Sequence, residues 1–271
     1  MLRSMNIKIR YIFCLVSLYF SGCTYVQPPI VAIAPAIETT IPATTEDYSK
    51  IINSSAHNIN SIKLSGKLVA QEPGLETLNC KITLLYKKDS NLFINAYKPL
   101  IPSLFQLKLK NNLFHLLIPD ENYILTGDIE TLKQNPDLNI SIAPDLIQKA
   151  LFPEKIIFND TAKILHQQNE TVLQIFSKNS SLKRLLYFEN SSFRPEKEIF
   201  FSSKGYEEII INRNNWIKEE NNALIAKEIT ITKPITNTSI KLFWDKIKLN
   251  EKIEDEVFTF EFPEGVEVET L

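Results

Sequence analysis

Ile62-Lys63-Leu64-Ser65-Gly66-Lys67-Leu68-Val69-Ala70 decides the fold class. Apolar or small residues at 62, 64, 66, 68 and 70 alternate with Lys63, Ser65, Lys67 and Val69. A period of two sends successive side chains to opposite faces, so this stretch reads as a strand with one dry and one wet face. The pattern recurs at Leu78–Lys87, where Leu78, Cys80, Ile82, Leu84 and Tyr86 share a side. It continues through 91–97, 104–110, 113–118 and 122–126, with short turns that suit antiparallel hairpins. Upstream, Tyr48, Ile51, Ile52 and Ala56 have helical spacing within Asp47–Asn60. Downstream, Asp128–Leu132 and Ser141–Phe152 read as two more helices, the second stopped by Pro153. Strands then resume at 163–167, 172–177, 183–188, 198–203, 207–212, 227–232, 239–247 and 257–262. About fourteen strands against three helices predict a mainly β (α+β) domain over 47–271, whose single antiparallel sheet must curl strongly or close.

The amino terminus has a different character. Arg3, Lys8 and Arg10 precede an uncharged, mostly apolar run from Tyr11 to Phe20, ending in Phe20-Ser21-Gly22-Cys23. That is the layout of a secretory signal, and the run is about half the roughly twenty residues a spanning helix needs. The cysteine after two small residues resembles the lipobox of bacterial lipoproteins. The resemblance implies a signal peptide over 1–22 and a diacylglycerol on the Cys23 thiol, with attachment to a membrane outside the cytoplasm. Two or three acyl chains anchor stably where one does not. Thr24, in place of an inner-membrane-retaining aspartate, directs the expectation to the outer membrane, facing the periplasm. Residues 23–46 are rich in Pro, Ala and Thr and read as a tether.

Residues 1–22 hold three of the 30 basic residues and none of the 32 acidic ones, leaving the remainder at net −5. This balance gives no footprint for nucleic acid. Cys14 leaves with the signal and Cys23 takes lipid, so Cys80 has no partner for an intramolecular disulfide and reads as a small buried hydrophobe.

In order, a leading helix, a strand meander, a helical insertion and a second meander resemble the LolA/LolB family of lipoprotein carriers and outer-membrane receptors. Asn60–Leu68 is similar to the passage from helix to first strand in the receptor branch. Leu92–Leu100 followed by Leu104–Leu109 is similar to its strand, Pro-Leu turn and strand, although here the turn reads Lys98-Pro99-Leu100-Ile101-Pro102. Trp244–Asn250 and Phe258–Val266 resemble the closing strands of LolA-like lipoproteins. The resemblance implies a strongly curved half-barrel with helices as a lid over an apolar cavity, acting as a monomer. Its cargo would be acylated lipoprotein or lipid, delivered by a periplasmic LolA-like carrier. Leu64, Leu68, Ile82, Leu84, Leu92, Ile94, Phe258 and Phe260 are the expected cavity-lining residues, and Pro99, Leu100 and Ile101 the expected loop that contacts membrane or cargo. The bland reading of each lining residue is ordinary core, since every sheet needs a packed face.

Catalytic readings find little support. His57, His115 and His166 are far apart in sequence and form no metal-ligand pair, and there is no Gly-x-Ser-x-Gly or glycine-rich phosphate loop. Glu207-Glu208 and Glu219-Glu220 are neighbours that face opposite sides on a strand. We expect no enzyme, metal or cofactor. Two functions compete: binding and transfer of acyl chains at the outer membrane, and a structural or assembly lipoprotein that presents its sheet to a protein partner.

Overall fold

The computed structural model describes residues 44–57, 59–88, 91–134, 144–154, 161–190, 192–218 and 224–271. The expected signal peptide, Cys23 and nearly all of the tether lie outside the described residues. The elements run α1 (Thr45–His57), β1 (Ser61–Gln71), β2 (Leu78–Lys87), β3 (Asn91–Lys98), β4 (Ile101–Lys110), β5 (Leu113–Ile118) and β6 (Tyr123–Asp128). Then come α2 (Ile129–Gln134), α3 (Pro144–Leu151), β7 (Thr161–His166), β8 (Glu170–Phe176), β9 (Leu182–Glu189) and β10 (Pro195–Phe201). The last are β11 (Glu207–Lys218), β12 (Leu224–Lys233), β13 (Thr238–Leu249) and β14 (Glu267–Thr270). Helix α1 starts two residues before the periodicity predicts. Thr44 donates from its amide and hydroxyl to the Asp47 carboxylate, and the Asp47 amide donates back to Thr44 Oγ1. This reciprocal cap satisfies helix-start donors that no periodicity reports.

All fourteen strands join one open, curved sheet in the order β14-β6-β5-β4-β3-β2-β1-β13-β12-β11-β10-β9-β8-β7. Two antiparallel meanders, β1–β6 and β7–β13, meet where β1 pairs with β13, from Ile62 opposite Leu249 to Gln71 opposite Ser239. Directly opposed residues share a face, so register defines the two surfaces. Leu64, Leu84, Ile94, Leu107, Leu116 and Leu125 form one row across β1–β6 on the inner face. On the other meander Ile211, Ile231 and Ile240 form a second row on the same face, which meets β1 at Ala70. The alternate positions, including Leu85, Phe93, Lys108 and His115, lie on the outer face.

A register shift at Ser65/Gly66 interrupts the central pairing. There a Cβ on Gly66 would stand 1.9 Å from the carbonyl oxygen of Phe243. The glycine therefore permits a close backbone approach at a bulge, and bulges bend and twist the strand that holds them.

The carboxyl-terminal segment departs from expectation. Residues 257–262 do not pair as a strand. Asp255–Phe258 is a 3-10 turn that packs against β3 and β4, and the chain then crosses the outer face of the first meander. Lys87 pairs with Asp255, Lys108 Nζ donates to the Thr259 carbonyl at 2.7 Å, and Asn122 donates to the Gly265 carbonyl. Only then does the chain form β14, which adds in parallel to β6 and covers that edge. His115, 3% exposed, is held under this strap: Phe260 stacks on its ring at 5.1 Å and Phe262 meets it edge-on at 5.1 Å.

Two predictions test this architecture. Gly66→Ala should cost about 3 kcal/mol, because the clash is with backbone that cannot rotate away; the midpoint of urea unfolding measures it. Burial, followed by the Lys108 charge, lowers the His115 pKa below the ordinary imidazole value of about 6.5. The unfolded chain then binds this proton more readily, so the contribution is intact above pH ~6.5 and is lost as pH falls from there through the lowered value. Stability measured from pH 8 to pH 5 should decline more steeply in the wild type than in His115→Phe.

Candidate functional site

The inner face is the largest apolar surface that the fold assembles. Of the eight expected lining residues, Leu64, Leu68, Ile82, Leu84, Leu92 and Ile94 come together in one buried cluster with Leu242 and Trp244. Phe258 and Phe260 do not join it. Phe258 is fully buried within the 3-10 turn and Phe260 stacks on His115, both on the strap across the outer face. Their alternation imitates a strand, but the sheet has no free place there because β3 and β4 already pair on both sides.

Two helices lie on this inner face. Tyr48 and Ile52 of α1 are buried against Leu173, Ile175, Leu186 and Phe188 of β8 and β9. From α3, Leu146, Ile147, Ala150 and Leu151 enter the main cluster, and just beyond it Phe152 meets the Tyr86 ring at 5.5 Å. The 3.6-residue spacing of α3 accounts for this: positions 146, 147, 150 and 151 make one stripe.

The attachment of α3 is electrostatic at its carboxyl end. The unpaired carbonyls of a helix end carry partial negative charge and favour a cation. Arg213 of β11 supplies it, donating from Nε to the Ala150 carbonyl at 3.0 Å and from Nη2 to the Lys149 carbonyl at 2.6 Å. Glu198 of β10, wholly buried, accepts from Arg213 Nη2 at 2.7 Å and from Arg184 Nη1 at 3.0 Å. Arg184 also donates to the Glu154 carbonyl just after the helix, at 2.7 Å. Two guanidinium groups thus bridge one carboxylate and grip residues 149–154. Sequence reading missed this triad, because Arg184, Glu198 and Arg213 are ordinary polar residues until β9, β10 and β11 are paired. A faint signal was present: each occupies a position whose strand alternation calls for an apolar residue.

The second feature is the β3–β4 hairpin. Lys98 pairs with Ile101, which leaves Pro99-Leu100 as a two-residue turn. Leu100 has φ 73° and 103% relative exposure. Proline followed by a left-handed residue is the arrangement of a type II turn, which normally places Gly or Asn where Leu100 stands. A leucine in this conformation costs roughly 1–2 kcal/mol and here recovers nothing by packing.

Among the described residues a further recess of about 510 Å³ is lined by Gln167, Gln168, Asn169, Glu170, Glu189 and Glu196. Burial, then the charges of Glu189 and Glu170, raise the Glu196 carboxyl above its usual range. A lining of amides and carboxylates does not suit acyl chains.

This architecture is the LolA-like fold. No protein-family model matches the chain, and no curated protein sequence matches it. Among solved structures, a LolA superfamily protein from Nitrosomonas europaea superposes with TM-score 0.57 at 15% identity, covering 80% of this chain and 98% of that one. A domain described as an outer-membrane lipoprotein-sorting protein, from Vibrio parahaemolyticus, gives TM-score 0.56 at 14% identity, with 79% and 97% covered. A DUF1329 family protein from Desulfovibrio piger gives TM-score 0.59 at 8% identity, with 79% and 95% covered.

Removing the central carboxylate should unseat the helix. Glu198→Ala leaves the buried Arg213 without a carboxylate and Arg184 with only the half-exposed Glu154 carboxylate at 3.6 Å, and should cost about 3 kcal/mol. Hydrogen exchange should show the amides of 146–151 losing protection first, ahead of the β1–β2 amides.

Proposed function

We propose that this protein is a lipid-anchored outer-membrane protein that receives acyl chains of lipoproteins or lipids on its inner apolar face and passes them into the bilayer. The observation that carries the reading is the pairing of a LolA-like apolar inner face with a strained, fully exposed Leu100 on the same sheet. Helix α3 acts as the movable cover. It is eight residues long, and its apolar stripe occupies the inner face where a chain would lie. Each methylene that replaces a helix contact regains about 0.8 kcal/mol, so cargo can displace the cover without a catalytic group. Cys23 holds the domain at the membrane and the tether gives it reach. The neighbours described as LolA superfamily and lipoprotein-sorting proteins support this choice of cargo.

A second reading, an assembly lipoprotein without a ligand cavity, draws on the near-complete burial of that face beneath α1 and α3. Mass spectrometry of lipids that copurify with the full chain separates the two. Stoichiometric acyl ligand supports transfer, and its consistent absence together with failure to accept an acylated lipoprotein supports assembly.

The turn offers a sharper test. Leu100→Asn should raise stability by about 1 kcal/mol, because asparagine tolerates the left-handed conformation. The same change should slow cargo transfer into vesicles by roughly thirtyfold, the equivalent of about 2 kcal/mol for a leucine no longer buried in lipid. Faster unfolding, or unchanged transfer, would count against the role given to Leu100.

A further inference from the structure

Because successive strands pair antiparallel, six described hairpin turns emerge at one end of the sheet; the outer two, β5–β6 and β8–β9, carry no exposed large apolar side chain, and the four between them do. In strand order these are the β3–β4, β1–β2, β12–β13 and β10–β11 turns. Each presents an exposed large apolar side chain: Leu100 with Ile101, Leu75, Ile235 and Tyr206, of which Ile235 is 65% exposed. Five of the eight exposed large hydrophobics among the described residues stand there. At the opposite end the described turns read Asn111-Asn112, Gln167-Gln168-Asn169 and, between β9 and β10, Asn190 with Ser192-Phe193-Arg194, where Phe193 packs against Tyr48; Leu113 alone is exposed there, beside the first. Turn chemistry does not require the difference. Gly74, Gly205 and Asn237 supply the left-handed residue in three of the four tips, so Leu75, Tyr206 and Ile235 are additions to turns already satisfied.

Three of the tips also share a pattern: Lys98-Pro99-Leu100, Lys233-Pro234-Ile235 and Lys204-Gly205-Tyr206 each place a lysine two residues before the apolar side chain. The fourth, Leu75, lies between Glu72 and Glu76 and has no lysine. Hairpins two strands apart put neighbouring tips about 10 Å from one another. Such spacing leaves no continuous apolar patch for a protein partner, which needs roughly 800 Å² of complementary surface. A fluid bilayer needs no complementary shape. It takes separate apolar side chains below the headgroups while neighbouring lysines stay among the phosphates.

We propose that these four tips form a membrane-docking edge that seats the open end of the sheet on an anionic bilayer, with Leu100 as one of several contacts. This rests on the transfer reading above and extends it: the docked edge orients the inner face toward the lipid, which a single leucine contact does not do.

The test uses the full lipidated chain in phosphatidylglycerol–phosphatidylcholine vesicles carrying nitroxide lipids. Single variants Leu75→Cys, Leu100→Cys, Tyr206→Cys, Ile235→Cys and Leu113→Cys each bear an environment-sensitive fluorophore, with folding checked by circular dichroism. The expected result is quenching several-fold stronger at 75, 100, 206 and 235 than at 113. Replacing Lys98, Lys204 and Lys233 together with glutamine should reduce it about fivefold or more, and phosphatidylcholine alone should do likewise. Quenching at 100 without 75, 206 and 235 overturns the edge and leaves the single-tip reading standing. Equal quenching at 113 and the tips overturns the edge as mere proximity. Absence of quenching at all five overturns both membrane roles, while lipid carriage by the inner face is judged separately by copurification.

Discussion

The pairing of β1 with β13 is the constraint on which the rest of the molecule depends. Each meander by itself is a set of local hairpins with one apolar face and nothing broad enough to cover it. Joined at the centre, they make one inner surface that runs without interruption from β6 to β12 and beyond. Gly66 is the price of that junction. The backbone of Phe243 approaches so closely at the bulge that no side chain fits, and the register shift there adds curvature to the middle of the sheet. Residues 149–152, at the end of α3 and just past it, meet side chains from β2, β10 and β11 together.

Opposite solutions cover the two faces. Inside, apolar helix stripes lie on apolar strands, and one buried charge cluster fixes the end of α3. Burial of such a cluster is expensive, and its value lies in position more than in net stability. The Arg213 side chain can satisfy two helix-end carbonyls only when residues 149 and 150 are in one place. The charge cluster therefore fixes the end of the helix, while Leu146, Ile147, Ala150 and Leu151 pack its apolar stripe against the sheet. Outside, the carboxyl-terminal strap crosses the first meander through individual contacts with Lys87, Lys108 and His115 before it pairs with β6. That edge is thereby removed from the list of free strand edges.

Much of the fold was legible because period-two alternation is a local property. Spacing puts Leu64 with Leu68, and Ile82 with Leu84, on one side of their strands; the family resemblance implied that these and Leu92 and Ile94 share one face, and the structure brings all six into one cluster. The same criterion failed at Phe258 and Phe260. Alternation states that a segment has two faces; it does not state which surface it lies on or whether a partner strand has a free edge. The helices were legible from their stripes, but the start of α1 was set by the Thr44–Asp47 cap. Leu100 could be singled out beside Pro99, yet its left-handed backbone and complete exposure belong to the folded hairpin.

By itself, then, the sequence determined the class of fold, the helices, thirteen of the fourteen strands, and the apolar side of most of them, because alternation and helical periodicity act over a few residues. Tertiary structure alone decided that the fourteenth strand is Glu267–Thr270, that Arg184, Glu198 and Arg213 converge on the end of α3, and that four apolar tips stand in a row. Each of these depends on strand order and register between segments far apart in the chain. Contacts of that kind are set by which long-range pairing buries the most surface, and no local pattern encodes the outcome.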